Sequence, residues 1–321
     1  MLNRFLRYSI FTLTVVMGCT REDLSKCKVN LQIQHTYTLN PEYKDLFAQE
    51  VHQLAVYAFD QNERFYDMKF IADASQLGVA NTMGFALPVG TYTLVTWAGE
   101  PTQYVLGEAP NGASTFAEGL RRGVTTLSDF RLWISHDLAD TITVTQPADL
   151  FHGTLRNVQI TDMEEVNNVT IGLVKNTHII RVSITGLDAP NADTRTNTAT
   201  VYATGSNSFY RHDNNLDLSA GEIKYLPHSE EQVGDYLIST LKVLRLMPSH
   251  RLMLTTKNKN TGQIYCNFDL LPYIMQSPDY QTQDELDREK QFDVEIKIDA
   301  NLHIYIKING WQFINVIPIM P

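Results

Sequence analysis

Two runs near the C-terminus alternate apolar and polar residues, and they constrain the fold more than any other feature of the chain. The first run is Phe292–Ile298 and the second is Leu302–Ile308, with the short segment Asp299–Asn301 between them. The alternation is in phase across that segment. When apolar residues recur at every second position of a strand, their side chains lie on one face of that strand. The pattern therefore predicts an antiparallel hairpin with one buried face and one solvated face.

The same alternation, or β-branched and aromatic enrichment, recurs along the chain and predicts further strands. These segments are Val29–Ile33, Leu54–Ala58, Tyr92–Trp97, Thr141–Thr145, Ile179–Ile184, Thr200–Thr204, Val243–Leu246 and Arg251–Thr255. Helical signals are weak, and the best helix candidate is Asp284–Gln291. Strands without alternating long helices favour β-sandwiches over a parallel α/β sheet. Trp97, Trp133 and Trp311 all lie in strand-like segments, so we expect them in the core.

Length and composition are those of a folded protein with two domains. The chain has 321 residues, of which 43% are hydrophobic and 19% charged, and that is enough to build full cores. A polar stretch at Thr161–Asn168 is the candidate linker, which gives an N-terminal β-sandwich domain over 29–164 and a C-terminal one over 165–321. The net charge is −10. A nucleic-acid-binding protein normally carries a basic surface, so the charge argues against that class.

The N-terminus is typical of a secretory signal. Arg4 and Arg7 precede an apolar run at Ile10–Met17, which is too short to span a membrane. The run ends in Val16-Met17-Gly18-Cys19, which resembles the lipobox of bacterial lipoproteins. In that class the signal is cleaved between Gly18 and Cys19, and Cys19 is acylated. We expect removal of 1–18 and a lipidated tether over 19–28. The alternative is an ordinary secretory peptide with a chance cysteine at its end.

Cys27 and Cys266 are the other two cysteines of the chain. They lie far apart in sequence, and Cys27 is close to the tether. Two unrelated thiols are favoured over a disulfide, although pairing in an oxidising envelope stays open.

Motifs of known chemistry are absent from the sequence. It contains no nucleophile elbow, no zinc-protease helix, no phosphate loop and no dinucleotide fingerprint. The pair His136-Asp137 is typical of a polar loop, and Glu164-Glu165 and Glu230-Glu231 are typical of solvated faces. Asp213–Asp217 offers oxygen ligands but lacks the ligand spacing of an EF-hand calcium loop, so a turn is expected there. No catalytic residue, metal site or cofactor is predicted.

Several segments together resemble one known family, the fimbrial anchoring subunits of Bacteroidales type V pili. The resemblance covers nearly the whole chain in order, with Lys175 where the family often has Arg. The segments that carry it are Cys19 with Asp23–Cys27, Val56–Asp60, Phe151–Gly153, Leu173–Leu187, Asp287–Glu289 and Asn309–Trp311.

The resemblance implies an all-β fold with two transthyretin-like β-sandwich domains in tandem. It also implies a non-enzymatic subunit at the base of a fimbrium, fixed to the outer membrane by acyl chains, that attaches the filament and limits its length. The implied partners are the fimbrial stalk pilin, accessory fimbrial subunits and the outer membrane. A surface lipoprotein that binds glycans or proteins is the alternative, and a lipid-anchored hydrolase is disfavoured by the missing motifs.

The C-terminal segment Phe313–Pro321 is the candidate contact with the filament. It is apolar, and its two prolines suit an edge or terminal strand. Strand addition would use backbone hydrogen bonds for affinity and alternate side chains for register. The alternative is that the segment completes the protein's own sheet. The predicted partner-binding residues are Phe313, Ile314, Val316, Ile317 and Ile319.

Overall fold

The computed structural model describes residues 28–106, 120–134, 141–186, 199–217, 221–298 and 303–316, with the backbone alone at 312–316. Within these ranges the protein is nearly all β, which confirms the predicted fold class. The helices described are short, as the sequence predicts. No helix of this part is long and apolar enough to cross a membrane.

The N-terminal half contains two facing sheets and two strands of a further three-stranded sheet. The first of the two facing sheets has the strand order β10-β1-β4, and the second has the strand order β11-β9-β5-β2-β3. A continuous apolar cluster fills the space between them, so this pair is a β-sandwich. The elements are β1 (Leu31–Thr36), α1 (Phe47–Glu50), β2 (Leu54–Phe59), β3 (Phe65–Ile71), β4 (Thr82–Phe85), β5 (Gly90–Gly99), β6 (Tyr104–Leu106), β7 (Arg131–Ile134), β8 (Thr141–Val144), β9 (Leu150–Ile160), β10 (Asn167–Gly172) and β11 (Val174–Lys175).

The C-terminal half repeats this layering with larger sheets. A six-stranded sheet has the order β16-β17-β12-β20-β21-β22, and a five-stranded sheet has the order β19-β18-β13-β15-β8. The elements are β12 (Thr177–Thr185), β13 (Ala199–Gly205), β14 (Phe209–Arg211), β15 (Glu222–Tyr225), β16 (Ser229–Val233), β17 (Tyr236–Leu244), β18 (Leu252–Asn258), β19 (Ile264–Asp269), α2 (Leu271–Ile274), α3 (Gln283–Arg288), β20 (Gln291–Ile298), β21 (Ile304–Ile308) and β22 (Trp311–Val316).

The predicted C-terminal hairpin is present with the expected buried and solvated faces. Strands β20 and β21 pair antiparallel, with Ile296 opposite Ile306 and Ile298 opposite Ile304. The apolar residues of both strands are buried, whereas Lys297 is exposed. The predicted helix is α3, which begins at a capping box formed by Thr282 and Glu285.

Strand β2 shows why the alternating pattern fails at the centre of the fold. All six of its residues are buried. Leu54, Val56 and Ala58 face the N-terminal sandwich core, whereas Ala55 and Tyr57 face a second cluster. A strand covered on both faces reads as a continuous apolar run.

The two halves exchange strands. Strand β8 from the N-terminal half pairs in parallel with β15, and β14 from the C-terminal half pairs antiparallel with β7. The second apolar cluster is continuous across this junction, because it contains Trp97 and Leu127 as well as Val201 and Leu254. The halves therefore share both backbone hydrogen bonds and a core.

The strand pairing shows that the chain passes from the N-terminal sheets to the C-terminal sheets after the predicted linker, not within it. Strand β10 lies after residue 164, yet it pairs with β1 of the N-terminal half, and β11 pairs with β9. The chain enters the six-stranded sheet only after Asn176. The division into two transthyretin-like domains stays a prediction, and we propose that its boundary lies at Asn176.

Candidate functional site

A polar cleft lies at the junction of the two halves, with a volume of about 860 Å³. Its lining comes from the end of α1, the turn after β5, the segment before β9, and strands β11 and β17. We refer to this space as the junction cleft. Its most distinctive feature is a group of five charged residues, Glu50, Asp149, Lys175, Lys242 and Lys290, which we call the junction cluster.

Shared carboxylate oxygens hold the junction cluster together. Lys175 Nζ lies 3.0 Å from Glu50 Oε2 and 3.3 Å from Asp149 Oδ1. Lys242 Nζ lies 2.9 Å from the same Asp149 Oδ1, and Lys290 Nζ contacts the other oxygen of Glu50. Glu50 and Asp149 come from the N-terminal half, whereas Lys242 and Lys290 come from the C-terminal half. The cluster therefore connects the halves through ion pairs.

Both carboxylates of the junction cluster are ionised at neutral pH. Burial acts to raise the pKa of Glu50, but hydrogen bonds from Lys290 and Lys175 outweigh it and lower the pKa. Burial likewise acts against the charged form of Asp149, whose pKa is lowered by Lys175, Thr177 and Lys242. The side chains of Lys175 and Glu50 are 15% and 20% exposed, so their ion pair is weakly screened, whereas Asp149 is 38% exposed and its pairs are screened more by solvent.

A second ion pair, between Arg245 and Asp287, is buried outside the lining of the cleft. Arg245 follows β17 and donates from Nε to Asp287 Oδ1 at 2.8 Å, while its Nη2 donates to Asp287 Oδ2. Arg245 also donates to the carbonyl of Asn214 at 2.8 Å, and Gln283 donates to Asp287 at 2.8 Å. Asn214 in turn exchanges two side-chain hydrogen bonds with Asn176. This network ties α3 to the point where the chain passes between halves.

The Phe151-His152-Gly153 element has a structural role at the same junction. His152 is buried against Trp97, with ring centroids 4.5 Å apart, and its Nε2 lies 2.8 Å from the carbonyl of His212 in the other half. Because a carbonyl oxygen only accepts, this nitrogen carries the proton. A Cβ at position 153 would lie 2.5 Å from Ile171 Cγ2 and 2.8 Å from the carbonyl oxygen of Gly172. Glycine is therefore required where β9 and β10 approach each other.

We expect the protein to lose stability as the pH falls from about 6.5 toward 4. Burial lowers the pKa of His35 and His178 to about 4 and that of His152 to about 3. Their folded-state pKa values lie below those of the unfolded chain, so the unfolded chain binds more protons in this range. Each histidine can contribute a slope of about 1.4 kcal/mol per pH unit.

Urea unfolding at pH 7.5, 6.0 and 5.0 measures this slope. A His152→Gln variant, which keeps a donor for the His212 carbonyl, should show a shallower pH dependence than the unsubstituted protein. Equal midpoints at pH 7.5 and 5.0 would contradict the assignment of buried neutral histidines.

Most residues singled out from the sequence lie away from the junction cleft. Gly18, Cys19, Cys27, Ile317, Ile319 and the His136-Asp137 pair fall outside the described residues. Phe313, Ile314 and Val316 lie in β22, which pairs with β21 at the edge of the six-stranded sheet. Cys266 is buried, and burial raises the pKa of its thiol.

The two glutamate pairs are surface features, as expected, whereas Asn214 and Asp217 of the Asp213–Asp217 segment are buried. Glu164-Glu165 and Glu230-Glu231 are exposed. Asp213–Asp217 forms a turn in which Asp213 accepts from Asn215 at 3.1 Å. In the part of the chain that the structure describes, no group of His, Cys, Asp and Glu has the geometry to hold a metal ion.

The expectation that all three tryptophans are core residues is wrong for Trp311. Trp97 is fully buried, and Trp133 is partly buried and stacks on Phe209 at 3.8 Å. Trp311 is 46% exposed and donates from Nε1 to Asp279 at 3.1 Å. It follows the turn residues Asn309 and Gly310, whose φ values are both positive, so it lies at the very start of an edge strand.

Sequence reasoning missed the junction cluster and the buried Arg245. Two weak signals were present, namely Lys175 as a departure from the family pattern and Asp287 within a family segment. Neither signal indicates a partner, because the partners lie in distant segments of the chain: 42 residues separate Arg245 from Asp287, and 125 separate Lys175 from Glu50.

The comparisons with known proteins agree with this architecture. The solved structures that it resembles include a proposed polysaccharide-binding protein of Bacteroides thetaiotaomicron, at 22% identity and a TM-score of 0.75, covering 90% of this chain and 98% of that one. Another is the fimbrial anchor protein Mfa2 of Porphyromonas gingivalis, at 21% identity and a TM-score of 0.71, covering 89% and 99%. At these identities the likeness shows the fold. The comparison with curated proteins found no match.

The fold is thus the β-sandwich fold that these two solved structures share. The family model of the fimbrillin-A associated anchor proteins Mfa1 and Mfa2 matches residues 24–316. The chain belongs to this family, which confirms the resemblance found in the sequence. Membership indicates a fimbrial anchor or adhesin-like role at the cell surface, with other fimbrial subunits as partners.

Proposed function

We propose that the protein is a non-enzymatic anchoring subunit that attaches a fimbrium to the outer membrane through acyl chains on Cys19 and limits filament length. The observation that carries this proposal is the family match over residues 24–316, which begins five positions after Cys19 of Val16-Met17-Gly18-Cys19. Each buried CH₂ group of an acyl chain contributes about 0.8 kcal/mol, and a single chain binds a membrane only marginally. Stable attachment of a filament therefore calls for the several chains that lipoproteins carry.

Replacing the acylated cysteine tests this function. We expect Cys19→Ala to move nearly all of the protein out of the outer-membrane fraction and to give filaments that are detached or abnormal in length. Cys27→Ala is the matched control, since it removes the neighbouring thiol and should leave the protein on the membrane. Retention of Cys19→Ala in the outer membrane, or equal release of both variants, would refute the lipid anchor.

The contact with the stalk pilin is proposed to be the β22 edge of the six-stranded sheet, with Phe313, Ile314, Val316, Ile317 and Ile319 as the contact residues. Strand β21 covers one side of β22, and within the described residues no strand pairs with the other side. An open edge presents unpaired backbone N–H and C=O groups to an added strand. An anchor that keeps its lipid must also keep its N-terminal strand, so another edge has to meet the filament.

Truncation of the C-terminal segment tests the β22 contact. Deleting Ile314–Pro321 should abolish capture of filament subunits while the protein stays folded and membrane-bound. Global unfolding would favour the alternative that the segment only completes the protein's own sheet, and unchanged capture would remove the segment from the mechanism.

A surface lipoprotein that binds glycans or proteins is the second candidate function. The half-exposed Trp311 and the likeness to a proposed polysaccharide-binding protein favour it. Binding of the mature protein to polysaccharides rather than to fimbrial subunits would distinguish this function from anchoring.

A further inference from the structure

The three lysines of the junction cluster have more hydrogen-bond donors than their carboxylate partners use. Each lysine ammonium carries three N–H donors. Among the described residues, Lys175 contacts two carboxylate oxygens, whereas Lys242 and Lys290 contact one each. Lys175 also lies over the ring of Phe151, with its Nζ 5.5 Å from the ring centroid, so the donors left for a ligand are those of Lys242 and Lys290. Lys242 is 14% exposed, so water has limited access to its remaining donors.

The charge balance of the cluster favours an anion. Three ammonium groups meet two carboxylates, which leaves one uncompensated positive charge. Glu100 also lines the cleft, but its side chain is exposed, so its charge is screened by solvent. A carboxylate entering the cleft would accept charge-assisted hydrogen bonds, which are stronger than neutral ones.

The remaining lining matches a peptide better than a sugar. Gln49, Gln53 and Gln146 line the cleft, and their side-chain amides can both donate to and accept from a peptide backbone. Within the described part of the chain, the lining contains no Phe, Tyr or Trp on which a sugar ring could stack. The volume of about 860 Å³ lies within the range of ligand-binding clefts.

From these contacts we propose that the junction cleft binds an extended peptide segment through the carboxylate of an Asp or Glu side chain. The carboxylate bonds Lys242 and Lys290, and the glutamine amides bond the peptide backbone. This binding does not depend on acylation of Cys19 or on the β22 edge.

Titration of the full mature chain with a defined peptide tests the cleft. The probe is an acetylated tetraglutamate amide, with the tetraglutamine amide as the uncharged match. We expect the acidic peptide to bind and its affinity to fall with added salt. We also expect the Kd to rise about tenfold in Lys242→Gln and in Lys290→Gln, since each variant removes one charge-assisted hydrogen bond. Lys259→Gln is the control, because Lys259 pairs with Glu230 outside the cleft.

Three results would overturn the proposal. They are no binding of tetraglutamate, equal weakening by Lys259→Gln, and tighter binding of a tetragalacturonate, which would assign the cleft to acidic sugars. If Lys242→Gln does not fold, the affinity of Lys290→Gln for tetraglutamate tests the proposal. Lys290 is more exposed than Lys242, and Glu50 keeps its ion pair with Lys175 in the Lys290→Gln variant. Failure of this titration with normal membrane attachment and filament capture would leave the anchoring function intact.

Discussion

Ile304→Asp is expected to destabilise the protein by about 4 kcal/mol or more. Ile304 is 1% exposed and pairs with Ile298 on β20 and with Val316 on β22. The substitution removes a buried apolar side chain and places a carboxylate within the apolar cluster to which Ile304 belongs. Because the apolar cluster that contains Ile304 extends into the N-terminal half, we expect one cooperative transition at a lower temperature.

Lys297→Ala is the matched control on the solvated face of the same hairpin. Lys297 is exposed and lies opposite Tyr305. Exposed substitutions of this kind usually change stability by about 0.5 kcal/mol or less. Equal shifts in melting temperature for Ile304→Asp and Lys297→Ala would show that the assigned faces of the hairpin are wrong.

The second large effect is expected from Asp287→Ala. Removing this carboxylate leaves the Arg245 guanidinium buried without its counter-charge, since the Arg245 side chain is 8% exposed. Breaking a buried ion pair in this way costs about 3–5 kcal/mol. Thermal and urea unfolding of the purified variant measure the loss.

A double variant separates the value of the pair from the cost of a lone charge. Arg245→Met with Asp287→Leu removes both charges and keeps apolar volume, so it should be clearly more stable than Asp287→Ala. A double variant as unstable as the single one would show that the network with Asn214 and Gln283, rather than the unpaired charge, dominates the effect.

Local patterns predicted the strands that have one buried and one solvated face. Strands β13, β20 and β21 show the expected alternation of burial. The end of β17 was predicted less well, because the run Val243–Leu246 continues past the observed last strand residue, Leu244. Arg245 leaves the strand to reach Asp287, and that partner is invisible to a short-range pattern.

Long-range pairing accounts for what could not be predicted. The parallel pairing of β8 with β15 and the pairing of β14 with β7 join segments far apart in the chain. The alternation within each strand sets its faces but does not name its neighbour. For the same reason the junction cluster, drawn from five separate segments, had no signature in the sequence.

The strand exchange between the halves also has a mechanical consequence. Most linked domains move relative to one another because few contacts cross between them. Here, separating the halves would require stripping β8 from β15 and β14 from β7, and would open a shared core to water. Among the described residues, a force that pulls the halves apart would therefore act on paired strands and a shared core before the halves could separate. If the protein anchors a filament as proposed, such a junction would transmit tension with little extension.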